Sequence, residues 1–210
     1  MMKKEIIPAI IAKSQEELDR KIARVKGHVK VIQLDVMDGI FVKNSSVDFD
    51  FRLPKIGCGF EAHLMVSSPD EWIDRNIGKV DTIIVHIESC TDPDEIVSFV
   101  KSRGKKIGFA LNPETQVMRV KPYLKKIDQV LVMTVNPGCY GGKFLPKALD
   151  KVKELRKLAP RLDIEVDGGM DPKNIRLADD AGANLFVSGS YTVDAEDVRA
   201  AVASLKKEVD

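Results

Sequence analysis

The sequence predicts an α/β chain closed into a (β/α)8 barrel of the TIM type, and three observations carry that prediction. Short β-rich runs recur at residues 5–12, 30–36, 59–66, 81–88, 106–111, 129–135, 162–167 and 184–188, a beat of about 25 residues. Several are apolar throughout, as in Thr82-Ile83-Ile84-Val85 and Val130-Leu131-Val132-Met133, the pattern of parallel strands covered on both faces. Most of the segments between them have helical periodicity, and eight parallel strands with right-handed helical crossovers close into a barrel. An open doubly wound sheet would expose two edges, and no GxGxxG turn follows the first run.

The crossover helices announce their own starts. Ser14 and Glu17 have capping-box spacing, in which each side chain satisfies an amide of the other residue. Pro69 precedes Asp-Glu-Trp-Ile, and Asp92-Pro93-Asp94-Glu95 places acids in a first turn, where they complement the helix dipole. Leu149, Val152, Leu155 and Leu158 form an apolar stripe. Residues 37–58, rich in Asp, Asn, Ser and Gly, read as a long loop with room for one short helix, either a substrate cover or an interface segment.

Composition fits one soluble globular domain spanning residues 1–210. Of the 210 residues 44% are hydrophobic and 31% charged, and 33 Lys plus Arg against 32 Asp plus Glu leave a net charge of +1. That balance argues against a nucleic-acid or anionic-membrane partner. The first apolar run is broken by Pro8 and Lys13, and no stretch reaches the length of a membrane helix, so a cytoplasmic location is expected. Cys58, Cys90 and Cys139 lack CxxC spacing and read as ordinary thiols.

Polar residues interrupt the apolar runs near their carboxyl ends, the end at which a barrel carries its active site. In Val31-Ile32-Gln33-Leu34-Asp35-Val36-Met37-Asp38-Gly39, Gln33, Asp35 and Met37 share one side by the period of two. Later runs end in Glu61-Ala62-His63-Leu64-Met65, Val85-His86-Ile87-Glu88 and Ile164-Glu165-Val166-Asp167-Gly168-Gly169. Asp35, His63, His86 and Asp167 therefore converge over one mouth. Taken singly, a rim histidine or a turn-forming aspartate would look the same; their common register is what points to chemistry.

Glycines gather at the later strand ends, in Val135-Asn136-Pro137-Gly138-Cys139-Tyr140-Gly141-Gly142-Lys143, Gly168-Gly169 and Ser188-Gly189-Ser190. Glycine lets backbone amides approach an anion, and loops after strands 7 and 8 are the usual phosphate position in this architecture, which makes it a compact phosphate-binding barrel. The same glycines would also serve as plain turns. Lys143 is either a charge for that anion or a solvated helix-start lysine. There is no GxxxxGK[ST] motif for a nucleoside triphosphate.

At these residues the chain resembles the ribulose-phosphate 3-epimerase family. The resembling segments are Leu34-Asp35-Val36-Met37-Asp38-Gly39 with Phe41-Val42, Ala62-His63-Leu64-Met65-Val66, Val85-His86, Leu111-Asn112-Pro113-Glu114-Thr115, Met133-Thr134-Val135-Asn136-Pro137-Gly138, Glu165-Val166-Asp167-Gly168-Gly169 and Gly189-Ser190. The resemblance implies a barrel that interconverts ribulose 5-phosphate and xylulose 5-phosphate. It implies Asp35 and Asp167 as the acid/base pair, and Asp35, His63 and Asp167 as ligands of a divalent metal: zinc, manganese, iron, cobalt or magnesium. Gln33 falls where the family has a fourth ligand, a histidine, and offers a neutral carbonyl oxygen instead. His63, His86 and Met37 resemble pocket residues, and Gly142, Gly169, Gly189 and Ser190 resemble the phosphate site. The resemblance also implies a homo-oligomer.

Other positions depart from the family. Ala12 replaces a serine, Ile40 a histidine, and Cys139-Tyr140-Gly141-Gly142-Lys143 the usual phosphate-loop sequence. These departures motivate two alternatives: an epimerase of another 2-keto sugar phosphate, such as a hexulose phosphate, and a sugar-phosphate-binding barrel without turnover. A decarboxylase or aldolase would favour a lysine beside an acid, which neither carboxylate-bearing strand end supplies.

Overall fold

The computed structural model describes residues 2–210. Eight parallel strands form the barrel: β1 Glu5–Ile10, β2 Val31–Asp38, β3 Gly59–Met65, β4 Thr82–His86, β5 Lys106–Leu111, β6 Gln129–Met133, β7 Asp163–Asp167 and β8 Leu185–Ser188. Each pairs with its sequence neighbours, and β1 closes the ring by pairing with β2 (Ala9 opposite Gln33, Ile10 opposite Leu34) and with β8. Closure leaves no barrel strand with an open edge, so the alternative of an open sheet is excluded.

Around the barrel run α1 Gln15–Val25, α2 Pro69–Asn76, α3 Pro93–Ser102, α4 Leu149–Leu158, α5 Pro172–Ala181, the single turn α6 Ser190–Val193, and α7 Val198–Val209. Ser14 caps α1 by accepting from the Glu17 amide at 3.2 Å. The Glu17 carboxylate, however, accepts from the Lys13 amide rather than from Ser14, so the expected reciprocal box is shifted by one residue. Asp92 caps α3, accepting from the amides of Asp94 and Glu95 at 3.0 Å each. In α4 the stripe buries Leu149, Val152 and Leu155, whereas Leu158 at the last turn is exposed.

Two segments differ from the simplest reading. The crossover after β5 is built from two 3-10 turns, Val117–Arg119 and Lys121–Tyr123, instead of an α-helix. Pro122 lacks the amide that an α-helix would need there. The long loop after β2 holds no helix; it contributes a two-residue strand, Ser45–Ser46, antiparallel to Met37 and Asp38. Farther along, Phe51 is buried and stacks on Trp72 of α2 with ring centroids 6.2 Å apart, fixing the loop to the barrel's side.

The main core lies between barrel and helices, with Leu34, Leu64, Phe109, Phe186, Ile22 and Val152 among its members. Alternate residues point inward. Apolar ones, including Ile84, Ala110 and Leu131 on one side and Ile7, Ala9 and Val187 on another, fill part of the interior. Gln33, Glu61, Gln129 and Glu165 are also buried. Burial raises Glu61 to about 7, with hydrogen bonds from Gln129 and Glu165 opposing it, and burial with the Glu61 charge raises Glu165 well above the ordinary carboxylate range. Burial of this kind favours the protonated, uncharged form of a carboxyl.

Candidate active site

Asp35 on β2 and Asp167 on β7 end at one mouth of the barrel, and both line its cleft. Thr134 fixes the end of β7: its amide and hydroxyl donate to the Asp167 carbonyl at 2.8 and 2.9 Å. Gly168 then turns the chain with φ +116°, and a Cβ there would stand 2.4 Å from Val135 Cγ2, so the turn requires glycine. On β2, Asp38 organises the following loop by accepting from the amides of Ile40 and Phe41 at 2.8 Å each and from the amide and hydroxyl of Ser67 at 2.7 Å each. These bonds, working against partial burial, hold the Asp38 carboxyl below the usual range. The same loop lays the Phe41 ring 4.9 Å from that of His86.

Gln33 joins the two aspartates. Its Nε2 donates to Asp35 Oδ1 at 2.7 Å and to Asp167 Oδ2 at 3.0 Å. His63 Nδ1 lies 3.5 Å from Asp35 Oδ1 and 3.2 Å from Asp167 Oδ2. Behind it, His63 Nε2 meets His86 Nε2 at 2.9 Å. Both histidines are fully buried behind the aspartates and lie outside the cleft lining, whereas Met37, Gly142, Gly169, Gly189 and Ser190 are part of that lining.

The electrostatics follow from burial and proximity. Burial raises the Asp35 carboxyl and the charge of Asp167 adds to this, with His63 and Gln33 opposing. Burial alone would lower His63, but hydrogen bonding and attraction to Asp167 and Asp35 prevail and lift it to about 9. His86, buried and beside the His63 charge, falls to about 4. Without a metal, the two carboxyls thus share one imidazolium charge and the hydrogen bonds of a neutral amide donor.

Asp35, His63 and Asp167 each offer one ligand atom, and those atoms lie within 4.8 Å of one another. Two carboxylates and an imidazole form a donor set suited to a divalent cation. Gln33 Oε1 is buried without a hydrogen-bond partner, so the side chain carries an unused oxygen at the edge of this set. The oxygen expected as a ligand therefore points away while the nitrogen faces the carboxylates; a half-turn of the amide exchanges them. The cluster is a site for a divalent metal ion.

Glycines and a tyrosine shape the distal half of the cleft. Gly169 has φ +68° and faces Phe144. The Tyr140 ring lies against Gly189, where a Cβ would come within 3.0 Å of Cε2, and its hydroxyl donates to Asp194 at 2.7 Å. Sequence reasoning placed Tyr140 in the glycine-rich loop and missed Met65 and Met133 in this lining. The two methionines stand two residues beyond His63 and Leu131 on inward-facing registers, so the period of two contained the signal.

The barrel and the acidic cluster at its carboxyl-end mouth define a TIM-barrel enzyme with a metal-binding site. Residues 5–193 match the model of the ribulose-phosphate 3 epimerase family, and the chain belongs to that family. It is 34% identical over 217 residues to the ribulose-phosphate 3-epimerase of Schizosaccharomyces pombe, an alignment covering 100% of this chain and 95% of that one. It is 37% identical over 188 residues to the cytoplasmic isoform of ribulose-phosphate 3-epimerase from Oryza sativa, covering 85% and 82% of the two chains. The solved structure of KGPDC from Streptococcus mutans superposes with a TM-score of 0.69 over 99% of this chain and 98% of that one at 14% identity, a likeness of fold. Family and cluster together make the chain a sugar-phosphate enzyme of the isomerase type. Among the described residues no helix is long and apolar enough to cross a membrane.

Proposed function

We propose that this chain inverts C3 of ribulose 5-phosphate to give xylulose 5-phosphate, and the reverse. The observation that carries the proposal is the pair Asp35 and Asp167, buried at the ends of β2 and β7 and open to one cleft. Epimerisation beside a ketone needs a base on one face of C3 and an acid on the other. One aspartate enters ionised and takes the C3 proton. The C–H electrons form the C2–C3 double bond of an enediolate, whose negative charge rests on the C2 oxygen. The other aspartate delivers its proton to the opposite face of C3 as the ketone re-forms. Net charge is unchanged and the carboxyls have exchanged protonation states.

Asp35, His63 and Asp167 would hold the divalent metal, with Gln33 able to present its unpartnered oxygen after an amide turn. Bound there, a divalent cation supplies positive charge for the ketone oxygen as it becomes anionic. The lining of Met37, Met65 and Met133 places apolar surface near the aspartates, which favours the carbon skeleton over bulk water. Gly142, Gly169, Gly189 and Ser190 would receive the phosphate, so that binding energy remote from C3 aligns the reacting carbon. The rice relative's cytoplasmic isoform supports a cytoplasmic location.

Tyr140, whose ring lies against Gly189 at the glycine-lined end of the cleft, supports a second reading, an epimerase of a 2-keto sugar phosphate of another length such as a hexulose phosphate. The test is exchange at C3 in deuterated water, followed by NMR with ribulose 5-phosphate and a hexulose 6-phosphate, with and without added divalent ions. Exchange with the pentulose at the higher kcat/KM is expected. No exchange with it under any metal condition refutes the proposal.

A further inference from the structure

A relay of side chains runs away from the cleft behind His63. His63 turns Nδ1 towards the carboxylates and Nε2 towards His86, 2.9 Å from Nε2 to Nε2. A hydrogen bond between two ring nitrogens has one donor and one acceptor. On the far side of His86, Glu88 Oε2 lies 3.3 Å from Nδ1, and both atoms are buried with no hydrogen-bond partner elsewhere, so each is the one polar group within reach of the other. The Asn112 amide holds the other Glu88 oxygen at 2.9 Å. Lys151 secures that turn by donating to the carbonyls of Asn112 and Pro113 at 2.5 and 3.0 Å.

An ionised carboxylate only accepts, so it selects one polarity for the whole chain. His86 carries its proton on Nδ1, facing Glu88. Its Nε2 is then a lone pair, and the proton between the rings belongs to Nε2 of His63. With Nε2 protonated, neutral His63 has its lone pair on Nδ1, the atom that faces Asp35 and Asp167. In the reverse polarity Nδ1 would carry the hydrogen and could not ligate.

We propose that Glu88 is a positioning residue that acts through His86 to fix the tautomer of His63, so that Nδ1 is the nitrogen presented to the metal. The proposal rests on the metal-site reading above and extends it to a residue outside the cleft. The charge state of the carboxylate agrees with it. Glu88 is held at about 2, burial being outweighed by His86, Thr115 and the Asn112 amide, so its carboxylate is ionised and accepts.

Histidine 15N spectra of the metal-free wild-type protein at pH 7 test the polarity directly. The expected result is His86 protonated at Nδ1 and bare at Nε2, with His63 protonated at Nε2. His86 protonated at Nε2 overturns the proposal, independently of any turnover. Titration with Co2+ followed by absorption supplies the second arm. Folded E88A should bind Co2+ about 10- to 100-fold more weakly, with E88D recovering part of the loss. Unchanged Co2+ affinity in folded E88A overturns the proposal. Expected tautomers without any C3 exchange would count against the epimerase reading and leave the relay standing.

Discussion

Replacing Gln33 with Leu takes an amide donor out from between two buried carboxylates while keeping most of the side-chain volume. Two bonds are lost, 2.7 Å to Asp35 and 3.0 Å to Asp167. Hydrogen bonds to charged groups contribute about 1.5–3 kcal/mol each, so their loss costs about 3–6 kcal/mol. Part of this is recovered, because the buried and unpartnered Oε1 also disappears and such an atom costs about 1–3 kcal/mol. The net expectation is a metal-free protein destabilised by about 2–3 kcal/mol. A divalent cation held by Asp35, His63 and Asp167 alone takes over the role of the lost donor, so the difference should shrink when metal is present, whereas a Gln33 oxygen that joins the ligands would widen it. Urea unfolding of wild type and Q33L, once in chelator and once in saturating Mn2+, measures both quantities. A Q33L protein as stable as wild type in chelator, or a deficit that Mn2+ leaves unchanged, would refute this account of the cluster.

His63 gives metal-free stability a pH signature. Its value is about 9 in the folded chain against an ordinary 6.5, so its contribution is complete below pH 6.5 and is lost as pH rises through about 9. The contribution is about 3 kcal/mol, and wild type compared with H63N across pH 6–10 should show it as a difference in slope. Gly168→Ala should destabilise by about 2–4 kcal/mol, combining a strained φ with a clash against Val135, as read by thermal or urea unfolding. Tyr140→Phe removes the bond to Asp194 and should raise KM for a sugar phosphate up to about 5-fold at nearly constant kcat, which steady-state kinetics will show.

The barrel was legible because a repeated beat of apolar runs constrains topology strongly once edges must be closed. Asp35 and Asp167 were legible for a local reason: each interrupts an apolar strand near its end, and strand ends in a barrel share one rim. The contact between His63 and His86 was not. In the sheet His63 stands opposite Ile84, and the ring reaches diagonally to His86 two residues farther on, a choice made by rotamer and stagger. Glu88 was visible as a residue at the end of its run, but its role depends on Asn112 arriving from the next loop. The orientation of Gln33 depends on acceptors from two distant strands and has no local signature. The missing helix after β5 was readable in part from Pro122.

Proton exchange by the two single variants tests the central claim most directly. In deuterated water, D35N and D167N should each have lost epimerisation by a factor of about 10² or more, because each lacks one of the two proton-transfer groups. Each should still exchange the C3 proton of one epimer alone, the one whose proton faces the remaining aspartate, and the two variants should choose opposite epimers. If either variant epimerises at the wild-type rate, or both exchange the same epimer, Asp35 and Asp167 do not serve opposite faces of C3.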